Sequence, residues 1–188
     1  MESKLIEAAL EYSEKFGYPI IPVNPENKKP LVKWLEFQQR KATVKEIESW
    51  WTKWPNAMIG GVTGKISKDF TIDIDSPVGD EALTDYISDS LLTPTSITPR
   101  GGKHLHFEHP KEDITCKAGI FPHVDYRGQG GYICLPPSRN AEGKEYSWMD
   151  GLSLNDLPRA ILPDALLYYI KELALVFNKE PYKNLNLN

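Results

Sequence analysis

The chain has 188 residues, 40% hydrophobic, 11% aromatic and 26% charged, a balance that supports one packed domain and excludes a disordered or low-complexity polypeptide. No run approaches the roughly 18 apolar residues of a membrane-spanning helix, and the two cysteines, Cys116 and Cys134, form no Cys-x-x-Cys pair, which argues against a disulfide framework or a cysteine-built zinc site. Twenty-two basic against 26 acidic residues give a net charge of −4, so any contact with nucleic acid must come from a local basic patch.

Met1-Glu2-Ser3-Lys4 leads into an amphipathic pattern, not the short apolar run of a secretory signal, and reduced thiols in a cytoplasmic protein are expected. Residues 3–16 carry Leu5, Ile6, Ala9, Leu10, Ser13 and Phe16 at helical spacing, with Gly17 as the stop. Ile20 to Val23 reads as a strand, and Asn24 to Trp34 as a polar loop. Thr43-Val44-Lys45-Glu46 has the form of a capping box and predicts a helix carrying Ile47, Trp50 and Trp51. Met58 to Val62 and Phe70 to Asp75 read as strands, residues 80–90 as a helix with Ala82, Leu83 and Tyr86 inward. Ser96 to Thr98 is extended and Lys103 to Glu108 alternates. Val124 to Arg127 and Tyr132 to Leu135 flank Gly128-Gln129-Gly130-Gly131, which reads as a hairpin turn. Pro163 predicts the start of a last helix with Leu166, Leu167, Ile170, Leu173 and Leu175 as apolar positions; Asn184 to Asn188 is polar and patternless. Helices before, between and after strands joined by short turns give an α+β (mixed α/β) fold. Residues 1–160 are expected to form the main domain and 161–188 a helix and tail packed on it or leading onward.

Three segments carry chemistry. In Asp73-Ile74-Asp75, strand alternation turns Phe70, Ile72 and Ile74 to the core and both carboxylates to the other face. Two such acids repel unless a cation lies between them, and hard oxygen ligands suit Mg²⁺ or Mn²⁺. A pair of solvated surface acids has the same pattern. A calcium loop does not fit, because Pro77 and Val78 stand where an oxygen ligand and a glycine are required.

The second segment is Thr98-Pro99-Arg100-Gly101-Gly102-Lys103-His104-Leu105-His106-Phe107. Gly101 and Gly102 would let backbone amides approach an anion, Arg100 and Lys103 add positive charge, and an imidazole could complete a phosphate clamp. His104 and His106 share one face, so a transition-metal pair and a plain polar strand are the competing readings. In the third, Val124-Asp125-Tyr126-Arg127, the acid and the arginine share a face; a strand-edge ion pair explains them equally well in isolation. If the three strands are neighbours, they assemble three carboxylates beside a phosphate clamp, the parts of a two-metal phosphoryl-transfer site with ions roughly 3.5–4 Å apart.

The ordered set of motifs resembles the bifunctional DNA primase/polymerase domain of the archaeo-eukaryotic primase superfamily. It runs from Tyr18-Pro19-Ile20-Ile21-Pro22-Val23 through Lys28-Lys29-Pro30-Leu31, Trp34, Trp50-Trp51, Pro55 to Gly60 and Thr63-Gly64. It continues through Asp73-Ile74-Asp75, Thr98 to His104 and Val124 to Gly128, and ends with Gly130-Gly131-Tyr132 and Pro136-Pro137-Ser138. The resemblance implies an RRM-like mixed sheet with an N-terminal α/β unit. It implies that Asp73, Asp75 and Asp125 bind two Mg²⁺ or Mn²⁺ ions and that His104 meets the nucleotide phosphates. Arg100, Lys103 and Arg127 then fall near the triphosphate or template, and Lys29 matches a recurring family lysine. Many relatives have serine two residues before the histidine; here Gly102 stands there, and a backbone amide would replace the hydroxyl.

The implied activity is template-dependent nucleotidyl transfer, with a DNA template-primer and dNTP or NTP as partners, no membrane, and a monomeric protein. A helicase or accessory priming domain is expected in a longer chain. The alternatives are a catalytically inactive module that binds nucleotide or single-stranded DNA, and a His-x-His metalloenzyme. Trp34, Trp50, Trp51, Trp54 and Tyr132 could stack on bases, although tryptophans at helical spacing more often fill a core.

Overall fold

A computed structural model describes residues 2–179. The predicted tail, Asn184 to Asn188, lies outside the described residues. Helix α1 (Glu2–Glu14) is followed by β1 (Ile20–Val23), a 3-10 turn (Leu35–Gln38), α2 (Val44–Lys53), β2 (Met58–Val62), β3 (Asp69–Ile74) and α3 (Pro77–Leu83). Then come β4 (Thr95–Ile97), β5 (Lys103–Glu108), β6 (Lys117–Phe121), β7 (Val124–Arg127), β8 (Tyr132–Leu135), β9 (Ser147–Trp148), β10 (Ala160–Ile161) and α4 (Asp164–Lys179). The fold is α+β, as the alternation of patterns predicts.

The strands form two sheets. One has the order β1-β2-β8; the other has the order β6-β7-β3-β5-β4-β9, with β10 on β5. Pairing is antiparallel except for β10, which runs parallel to β5. The first sheet packs with α1 and α2 around a core that includes Tyr18, Ile21, Ile47, Trp51, Met58 and Leu135. Trp51 is 1% exposed, and its indole N–H donates to the Ala57 carbonyl at 3.0 Å; it is a core residue. The predicted capping box is present: Thr43 Oγ1 accepts from the Glu46 amide, and Glu46 Oε2 accepts from the Thr43 amide at 2.7 Å. Such a cap stabilises a helix by about 1 kcal/mol. The larger sheet builds a second core from Phe70, Ile72, Ile74, Phe107, Val124 and Tyr126 against Leu83 of α3 and Leu166 and Ile170 of α4.

Two expectations change, and one strand goes unread in the sequence. Residues 128–131 do not close a hairpin: β7 pairs with β3 and β8 with β2, so the segment crosses between sheets. Gly and Gln suit a tight crossing as well as a hairpin. This one is pinned by Thr63, whose hydroxyl donates to the Gly128 carbonyl at 2.7 Å and whose amide donates to the Gly131 carbonyl at 3.0 Å. Helix α3 begins at Pro77 and ends at Leu83, earlier than predicted, because proline favours the first helical turn and the Thr84 hydroxyl donates to the Glu81 carbonyl at 2.9 Å just past the helix end. Strand β6, an edge strand with a register irregularity, lacks the alternation that would have revealed it.

The polar face of the larger sheet carries a buried charge cluster. Asp69 is fully buried and accepts from Thr71 Oγ1 at 2.6 Å and from Arg159 Nε at 2.8 Å, with His106 Nδ1 at 3.3 Å. Tyr18 of the small-sheet unit brings its hydroxyl to His106 Nδ1 at 3.3 Å, and the Arg159 guanidinium lies over its ring. Burial opposes ionisation of Asp69, but His106 and Arg159 outweigh it and hold the carboxyl below the ordinary range. Burial lowers His106, against the opposing pull of Asp69. A carboxylate depressed on folding contributes stability above its unfolded value near pH 4 and loses that contribution as acid protonates it. Asp69→Asn is therefore expected to cost about 3–5 kcal/mol at pH 7, since Arg159 is left buried without its partner. The gap between native and variant should narrow as the pH falls below about 4; urea titrations across pH would check both.

Candidate active site

Cross-strand register assembles the site. Asp73 of β3 lies opposite His104 of β5 on one side and opposite Asp125 of β7 on the other. Directly opposed residues hold their Cβ atoms about 4.5–5.5 Å apart on one face, so His104, Asp73 and Asp125 form a row. Asp75 follows Asp73 by two residues on the same face and is exposed, its amide donating to the His123 carbonyl at 2.9 Å. Arg127 lies opposite Thr71, one step along from the row.

The row is electrostatically interlocked. One oxygen of Asp73 is 3.4 Å from His104 Nε2 and the other 3.5 Å from Arg127. Arg127 also donates to Asp125 at 2.9 Å, and Asp125 accepts from the Gly119 amide at 2.8 Å. Burial would raise Asp73, but His104 and then Arg127 hold its carboxyl below the ordinary value. His104 packs against Tyr146 and leaves Nδ1 buried without a hydrogen-bond partner.

Two clefts open on the row. A space of about 140 Å³ is lined by Asp73, Asp75, Thr98, Arg100 and His104. A second of about 330 Å³ is lined by Asp73, His104, Arg127, Tyr132 and Tyr146. Among the described residues no three His, Cys, Asp or Glu side chains converge on one point in metal-binding geometry, since Arg127 occupies the space between Asp73 and Asp125. The donor chemistry nevertheless fits: three hard carboxylates share one sheet face, and the positive charge they require is supplied here by Arg127.

Not every residue of the predicted clamp reaches this face. Arg100 lines the smaller cleft and is exposed. Lys103 points to the opposite face, where Nζ lies 2.8 Å from Asp80 of α3, as alternation from His104 requires. The Gly101 amide donates to the Thr98 carbonyl at 2.9 Å and the Gly102 amide to Thr98 Oγ1 at 3.1 Å, so the turn consumes the donors expected for an anion. Lys29 is exposed and lines neither cleft, whereas Lys28 lines both. His106 is turned into the buried Asp69 cluster, away from both clefts. Tyr146 is a cleft residue that nothing in the sequence singles out.

A family model described as bifunctional DNA primase/polymerase, N-terminal, matches residues 9–164. A comparison with curated proteins gives no match.

Gly102 has a packing role that its neighbour lacks. A Cβ at Gly102 would lie 2.3 Å from the Ile74 carbonyl oxygen, backbone of the strand that carries Asp73, whereas one at Gly101 would meet nothing within 4 Å. Of the two, Gly101 takes a left-handed φ, +84°. Gly102→Ala is expected to cost about 1–3 kcal/mol or more through overpacking, and Gly101→Ala about 1–2 kcal/mol through backbone strain. Thermal denaturation of the two variants, with Gly102→Ala melting lower, would check this.

Proposed function

The chain belongs to the bifunctional DNA primase/polymerase family, and from that premise we propose that it is a template-dependent nucleotidyltransferase that joins nucleotides from dNTP or NTP to a primer or initiating 3′-hydroxyl on DNA. The observation that carries the reading is the cross-strand row of His104, Asp73 and Asp125, continued by Asp75.

Asp73, Asp75 and Asp125 would hold two divalent ions, Mg²⁺ or Mn²⁺. When bound, such ions activate the attacking hydroxyl and neutralise charge on the transferred phosphate and the pyrophosphate leaving group. The chain's own residues position the substrate. His104 lines both clefts beside Asp73 and would meet the nucleotide phosphates there. Arg127, already between two carboxylates, is placed to exchange a carboxylate for a phosphate oxygen. Arg100 extends positive charge along the smaller cleft. Rate enhancement would come from positioning and charge complementarity rather than from covalent chemistry.

A binding-only module would use the same clefts, but it would have no need for three carboxylates facing a polyanionic substrate. A His-x-His metal centre is disfavoured by the burial of His106 among Asp69, Tyr18 and Ser96. We propose a monomer, and no helix among the described residues is long and apolar enough to cross a membrane.

Primer extension on a DNA template with Mn²⁺ or Mg²⁺ is the test. The native domain is expected to extend the primer, chelation to stop it, and Asp73→Ala with Asp75→Ala to lower the rate by at least roughly 10²–10³-fold, the scale of losing one charge-stabilising group. Native protein that binds nucleotide but does not extend would replace this reading with the binding module.

A further inference from the structure

Lys28, Asp73 and His104 line both clefts. Lys28 comes from the small-sheet unit, on the loop of residues 24–29 that follows β1, so its side chain faces the row from across the molecule. The loop is closed by the Asn24 amide donating to the Lys29 carbonyl at 2.8 Å and by the Lys28 amide donating to the Asn24 carbonyl at 2.9 Å. Lys28 itself has φ +58°, a left-handed conformation that a residue with a Cβ adopts reluctantly. A bond from across the sheet holds it there: the Tyr132 hydroxyl donates to the Lys28 carbonyl at 2.8 Å. The Tyr132 ring is in turn packed edge-on against Trp34, with centroids 5.2 Å apart.

The charge on Lys28 is uncommitted. Arg127, Lys103 and Arg159 are each paired with a carboxylate, whereas no carboxylate lies within ion-pair distance of Lys28 among the described residues. Its charge is felt inside the cleft: burial pushes the Cys134 thiol up to about 11, and Lys28 is the cation that works against that rise. A compact ammonium with three donors, facing a row of carboxylates whose substrate is a polyanion, is suited to phosphate rather than to base or sugar.

Resting on the polymerase reading, we propose that Lys28 binds the triphosphate of the incoming nucleotide, and that Tyr132 and Trp34 are positioning residues that hold the Lys28 backbone in place. This gives the two aromatics a task other than stacking on bases: the Tyr132 hydroxyl and the edge of its ring are both committed to the brace. The phosphates of a DNA strand offer the same chemistry. The triphosphate is favoured because Lys28 stands at the point where the clefts meet, beside Asp73 and His104, rather than along the outer length of either.

The test is equilibrium binding of dATP with Mn²⁺ and no primer, measured by calorimetry. Lys28→Met keeps the length of the side chain and removes its charge. It is expected to weaken dATP binding about ten- to hundredfold, the scale of one hydrogen bond to a charged group, while Lys28→Arg stays within a few-fold of native. Tyr132→Phe is expected to weaken binding roughly three- to tenfold and to add little further loss in the Lys28→Met background, the non-additivity of residues acting as a unit. Thermal melts would establish that each variant is folded. Lys28→Met that binds dATP as native does, or that loses affinity only for a short single-stranded DNA, overturns the triphosphate assignment alone. Additive losses in the double variant overturn the brace. Native protein that binds no triphosphate overturns the polymerase reading and this inference with it.

Discussion

The active face depends on register. Asp125, Asp73 and His104 meet because three antiparallel strands are aligned to the residue, and a slip of one position would exchange every side chain between faces. The alignment is enforced from the other side of the sheet. Phe70, Ile72, Ile74, Phe107, Val124 and Tyr126 must all reach the core shared with α3 and α4, and a pairing shifted by one residue would turn them away from it. At the end of β3 the approach of Gly102 to the Ile74 carbonyl leaves no room for a side chain, which fixes where β5 begins. The carboxylates are thus presented by the burial of their neighbours; nothing in their own chemistry would bring like charges together.

The same polar face is buried at its other end, where Asp69, His106, Thr71 and Arg159 meet Tyr18 of the small-sheet unit. A buried ion pair is weak evidence of stability in itself, since desolvation opposes it. Its significance lies in the elements it joins: β3 and β5, which carry Asp73 and His104; β1's approach through Tyr18; and the segment that leads into β10. The clefts lie between the units so joined, and their walls come from both.

Much of this was legible in the residues. Ile20–Val23, Met58–Val62, Lys103–Glu108, Val124–Arg127 and Tyr132–Leu135 read as strands because apolar runs or alternation of period two leave few alternatives, and Thr43 to Glu46 announced its helix through two reciprocal hydrogen bonds. The acids and His104 were legible because alternation assigns a face to each. The features that stayed hidden depend on partners distant in the chain. Residues 128–131 have the composition of any tight turn, and whether they close a hairpin or cross between sheets depends on the pairing of β8 with β2. The glycine amides of the Thr98 turn looked available, but their acceptors on Thr98 are a matter of local geometry that composition does not report. Lys28 and Lys29 are indistinguishable as letters; a left-handed backbone and a hydroxyl from Tyr132 separate them.

Charge illustrates the same division between composition and placement. A net −4 gives no sign of a surface for polyanions, and counting cations near the motifs overstates the positive charge a substrate would meet. Lys103 is committed to Asp80, Arg159 to Asp69, and Arg127 to Asp73 and Asp125. Strand alternation made the first of these assignments inevitable once His104 faced the row, because adjacent residues cannot share a face. The potential over the clefts is therefore set by Arg127, poised between carboxylates, and by Lys28 and Arg100, which have no ion-pair partner among the described residues. Acids and cations thus share the clefts: the acids would favour cations, and the cations would favour phosphate. Filling the acids with a cation would release Arg127 toward phosphate, and by linkage any such coupling would act equally in the other direction.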